Sequence, residues 1–86
     1  MSEIKSVLAE RGSRYGDFKD NARVSQHIKV AMQDGRWHDL SSDKKEALEM
    51  IAHKMARIIN GDPEYKDSWT DIIGYAKLIE DTLDVK

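Results

Sequence analysis

Eighty-six residues make one domain, and a chain of this size buries only roughly 60–65% of its unfolded surface, so self-association would help a modest core. Fourteen basic side chains against sixteen acidic ones set up no global field for DNA or an acidic membrane, which argues against nucleic-acid binding. Without cysteine there is neither a disulfide framework nor a thiolate metal site, and a reducing compartment is compatible. No apolar run approaches ~18 residues, and MSEIKSVLAERG lacks a signal-peptide core, so the expected location is the cytoplasm.

In chain order, Ser2 can cap a short first helix with Ile4, Val7 and Leu8 as its apolar stripe, and Gly12 is expected to end it. Ser13 to Phe18 reads as a turn around Gly16, into which Arg14, Tyr15 and Asp17 crowd. A second helix is expected from Asp17 or Asp20 to Gln33, with Phe18, Ala22, Val24, Ile28, Ala31 and Met32 inward, stopped by Asp34-Gly35. Trp37, in the loop that follows, is expected to plug one end of the core.

The stretch Glu46 to Asn60, capped by Ser41 or Ser42, is the most cleanly two-faced in the chain. At 100° per residue, Ala47, Leu48, Ile51, Ala52, Met55, Ala56, Ile58 and Ile59 share one half of the cylinder. Asn60-Gly61 is expected to close it through a left-handed cap, and Asp62-Pro63 to turn the chain. A last helix is expected to open at Ser68-Trp69-Thr70-Asp71, a capping-box spacing. Its stripe runs through Trp69, Ile72, Ile73, Ala76, Ile79 and Leu83, and Tyr75 and Leu78 widen it beyond what one neighbour covers. Gly74 in its middle predicts the close approach of another backbone. Nothing reads as a strand, so the expected fold is all-α: a small antiparallel bundle of three long helices and a short one, a single domain over residues 1–86, self-associating.

Few residues stand out for chemistry. Asp67 and Asp71 are four apart on one helical face, where first-turn carboxylates also serve the helix dipole. Lys54 and Arg57 form either a pair of cations suited to phosphate or a snorkelling Lys beside a salt-bridged Arg. Glu46 and Glu49 offer carboxylates to a Mg²⁺ ion, although an i,i+4 pairing of Glu49 with His53 explains them as simply. His27, His38 and His53 lack partners at zinc spacing.

The segments RYGDF (Arg14 to Phe18), EALEMIAHKMARIINGDP (Glu46 to Pro63) and DSWTDIIGYAKL (Asp67 to Leu78) together resemble a family of small phage and prophage helical proteins, one that brings no activity with it. That resemblance implies a host cytoplasm. More distantly, the last two segments are similar to the helix pair of MazG-like all-α nucleotide pyrophosphohydrolases. Those enzymes hold Mg²⁺ against a nucleoside triphosphate with E-x-x-E on one helix and E-x-x-D on the next. Asp71 matches the last position of that pattern, whereas Ser68 stands where a Glu belongs. Facing it lies either Glu46-x-x-Glu49, giving a metal site of Glu46, Glu49 and Asp71, or Lys54-x-x-Arg57, giving none. The helical wheel favours the cations.

The sequence therefore supports a non-catalytic helical protein that binds a nucleotide-like ligand or a host protein and needs no cofactor. The expected groove lies between the organising helix and the last one, lined by Lys54, Arg57, Asp67, Asp71 and Tyr75, with Arg14, Tyr15 and Asp17 closing it. The alternatives are a Mg²⁺-dependent pyrophosphohydrolase and a purely structural homo-oligomer.

Overall fold

The structure, a computed structural model, describes residues 2–83. It is all-α, as expected, with no strand among the described residues: α1 (Ser2–Tyr15), α2 (Phe18–Met32), a 3-10 turn (Trp37–Asp39), α3 (Ser42–Asn60) and α4 (Lys66–Glu80).

The middle helix, α3, organises the rest because its small residues lie on two opposite flanks. Ala52, Ala56 and Asn60 form one i, i+4 row, and the Asn60 amide donates to the Ala56 carbonyl at 3.0 Å and to the Asp20 carbonyl of α2 at 3.4 Å. The other flank carries Ala47, which meets Ala76 and Ile79 of α4 in one groove, and Lys54, which reaches Asp71. Ala47, Ala52 and Ala56 are all buried, and their short side chains let both neighbours approach closely. These pairings run α2 and α4 antiparallel to α3. The result is the small antiparallel bundle expected, and because α2 and α4 barely touch one another, they flank α3 as a layer within it. Trp37 is buried, as expected.

A layer leaves α3 with two open strips. Leu48, Met55 and Ile59 make one, apolar and exposed; Glu46, His53 and Arg57 make the other, polar. The C-terminal part of α1 lies along the polar strip and touches α2 and α3 only briefly. The stripe of Ile4, Val7 and Leu8 stays more than half exposed.

Several boundary expectations are corrected. α1 continues through Gly12 to Tyr15, because Gly16, at φ 82°, takes the left-handed position and donates its N–H to the Gly12 carbonyl at 2.9 Å. α4 starts at Lys66 with Tyr65 in the cap position, one turn's breadth before the Ser68 box, and Ser68 is buried instead of capping. Phe18 points outward at 79% exposure, since Asn21 and Ser25 hold the face of α2 that meets α3.

Gly61 is not left-handed: its φ is −116°. It is a glycine for a steric reason, since a Cβ there would come within 2.4 Å of the Arg14 carbonyl oxygen. Gly16 has the reciprocal constraint, with a Cβ falling 2.3 Å from the Asn60 carbonyl oxygen. The RYGD and NGDP segments thus cross backbone to backbone, sealed by the Asp62 N–H donating to the Arg14 carbonyl at 2.8 Å. Gly74 has nothing within 4 Å of where its Cβ would stand, so no backbone among the described residues approaches it.

Candidate functional site

The glycine crossing fixes the end of α1 against the C-terminus of α3 and the N-terminus of α4, and side chains from all three collect there. The Tyr15 and Tyr65 rings meet edge to face with centroids 5.7 Å apart. The Arg14 guanidinium lies 4.8 Å from the Tyr65 centroid, donates to the Tyr65 hydroxyl at 2.7 Å, and pairs with Glu10 at 3.2 Å. Tyr65 in turn donates to Asp67 at 3.0 Å. The bond to Tyr65 is the main reason the Arg14 pKa is raised, and donation to Asp67 raises the Tyr65 pKa against the opposing pull of Arg14. This chain of partners satisfies Arg14, Tyr65 and Asp67 among themselves.

Arg57 is arranged differently. Its guanidinium sits 4.3 Å from the Tyr15 centroid, with Arg11 at 5.6 Å from the same ring. Among the described residues, neither Arg57 nor Arg11 has a carboxylate within ion-pair distance. Both open onto a cleft of about 470 Å³ between α1 and the α2–α3 pair, with Tyr15, Asp17, Asn21 and His53 in its walls and Phe18 at its edge. Asn21 is 94% buried by its 6% residual exposure, and its Oδ1 has no hydrogen-bond partner. An orphaned acceptor of this kind is uncommon, because each such atom loses its hydration without compensation. The His53 pKa is pushed below its usual value, first by burial and then by the positive charges of Arg57, Lys54 and Lys29. The cleft therefore gathers two unpaired guanidinium groups and an imidazole whose neutral form is favoured, with the Asn21 Oδ1 orphaned beneath its surface.

The expected groove between α3 and α4 is divided. Lys54 and Asp71 do come together, at 3.0 Å, with the Lys54 side chain 11% and the Asp71 side chain 46% exposed. The ammonium is thus taken by a structural ion pair. Tyr75 and Asp71 line a shallow, open depression with Thr70, Gly74 and Leu78, away from Arg57 and Tyr15. Of the eight residues assigned to one site, Tyr15, Asp17 and Arg57 share the cleft, Arg14 and Asp67 form the chain through Tyr65, and Lys54, Asp71 and Tyr75 lie on the α4 side. The group facing Asp71 is a cation, and Glu46 and Glu49 do not gather around it. Among the described residues no three His, Cys, Asp or Glu side chains cluster as metal ligands.

Arg11, Asn21 and Tyr65 escaped the sequence reading. Asn21 carries no local signal at all, since its role depends on α1 folding back over α2. Arg11 had one: it precedes Tyr15 by four, the spacing at which helical neighbours stack.

Fold and site together define a small all-α layer protein with an arginine- and tyrosine-lined cleft on its polar side. The chain belongs to the family described as a domain of unknown function, DUF6378, which matches residues 2–83. No curated protein and no solved structure matches it.

Proposed function

We propose that this chain is a non-catalytic binding protein whose ligand is nucleotide-like, an aromatic base carrying phosphate, seated in the cleft between α1 and the α2–α3 pair. The observation that carries this reading is Arg57, half-buried over Tyr15 without a carboxylate partner, sharing its cleft with a second unpaired guanidinium, Arg11. A guanidinium matches phosphate oxygens in a forked pair of hydrogen bonds, and Arg57 and Arg11 supply two of them. Phe18 offers an exposed ring for the base at the cleft edge. Asp17 in the same wall suits a sugar hydroxyl and disfavours phosphate near itself. The cleft volume of about 470 Å³ falls within the usual range for small-ligand sites.

Hydrolysis is the weaker reading, because Mg²⁺ chemistry needs acidic groups about Asp71 and the neighbour there is Lys54. A host cytoplasm as the setting is part of this proposal and is supported by the resemblance of the three segments to small phage helical proteins. Thermal unfolding against a panel of nucleoside mono-, di- and triphosphates tests the reading. A ligand at 100 times its Kd adds about 2.7 kcal/mol, which for a domain of this size raises Tm by roughly 10 °C or more. Arg57→Ala is expected to abolish the shift. No shift with any nucleotide, or one that survives Arg57→Ala, contradicts it.

A further inference from the structure

The face of the layer opposite the cleft is apolar and uncovered. On α3 it consists of Leu48, Met55 and Ile59, the last 63% exposed; on α4 it continues through Trp69, Ile73 and Ala76, with Ile73 at 69%. The two strips are on the same side, because Leu48 and Ala76 line one groove of about 400 Å³ whose wall is nearly all hydrocarbon. The two charged residues of that groove, Lys44 and Glu80, have opposite sign.

The whole molecule carries the mark of a missing neighbour. A compact monomer of 9.9 kDa is expected to expose about 5,200 Å², and this chain exposes 6564 Å². Its radius of gyration is 15.1 Å where about 12 Å is typical of a compact domain this long. The excess of about 1,350 Å² exceeds the roughly 800 Å² that each partner gives to a standard interface. Among the described residues no side chain larger than alanine is fully buried, so the layer lacks a second half to its core.

We infer that a second copy of this chain covers the α3–α4 face, related by a twofold axis, so that two layers close around a shared apolar core. A twofold contact uses the same patch on both sides, and this patch is self-complementary: continuous hydrocarbon, with one charge of each sign in its groove. The cleft faces the other way on each protomer, so the inference stands independently of the proposed ligand.

Sedimentation equilibrium on the intact chain is expected to give twice the 9.9 kDa protomer mass. Ile59→Glu combined with Ile73→Glu is expected to give the protomer mass. Both residues are exposed in the protomer, so a helical circular dichroism spectrum should survive. If helicity is lost with the dimer, single cysteines decide the matter in this cysteine-free chain. Under mild oxidation, Ile59→Cys or Ile73→Cys should cross-link into a covalent dimer, and Val30→Cys, exposed on α2, should not. A monomeric wild type at tens of micromolar overturns the inference. So does a dimer that withstands the double glutamate variant but falls to Leu8→Glu, since that would make α1 the contact; so does cross-linking at position 30 alone.

Discussion

Gly16, Gly61 and Gly74 look alike in a sequence and have three different jobs. Gly16 combines a left-handed backbone with contact against Asn60, so Gly16→Ala is expected to destabilise by about 3 kcal/mol. Gly61→Ala keeps an ordinary φ but collides with Arg14 and Tyr15, for an expected loss of about 1–3 kcal/mol. Gly74→Ala meets empty space inside a helix and should gain about 0.8–1.0 kcal/mol. Chemical denaturation of the three variants checks the signs. At the Lys54–Asp71 pair, burial is lopsided. Asp71→Ala strands a buried ammonium and is expected to cost about 2 kcal/mol, whereas Lys54→Met keeps the packed stem, leaves a half-exposed carboxylate and should cost under about 1 kcal/mol. Equal losses would mean that the pair is not set in the way described.

Among the elements, α3 was the most legible, because nineteen residues of strong helical period leave little freedom in reading its extent. Trp37 and the Met32–Gly35 stop were legible for similar local reasons. The length of α1 was not: Gly12 looks like a terminator, and only the crossing with Asn60 and Gly61 shows that Gly16 terminates the helix. The outward Phe18 was equally hidden. Two polar residues, Asn21 and Ser25, take the face of α2 that hydrophobicity would award to the phenyl ring. The Ser25 hydroxyl is buried without a partner, so Ser25→Ala is expected to be neutral or to stabilise by up to about 1 kcal/mol in denaturant titrations. The cleft needed α1, α2 and α3 together, which no window of sequence contains. Because α1 is held mainly at its C-terminal end, hydrogen exchange should find the amides of Ile4 to Glu10 opening well before those of Ile51 to Ile58.

At the level of the whole molecule, a three-helix layer has two sides, and this one divides them between hydrocarbon and cations. The cationic side makes a pH prediction through His53. Its folded pKa lies below the unfolded value near 6.5, so the unfolded chain takes up a proton that the folded chain resists. Stability is then fully present above about pH 6.5 and declines as pH falls through the lower folded pKa, a decline that His53→Gln should flatten. An anion in the cleft offsets the charges of Arg57, Lys54 and Lys29 and raises the His53 pKa, so nucleotide affinity should grow as pH drops. Isotope-edited NMR titration of the wild-type chain with ATP, in the absence of divalent metal, tests the assignment of the cleft most directly. The expected result is saturable shifts at the Asn21 side-chain amide, the Arg57 guanidinium and the His53 ring, while the Asp71 and Tyr75 signals stay still. Shifts confined to the Asp71–Tyr75 side of α4, or none at millimolar nucleotide, would contradict it.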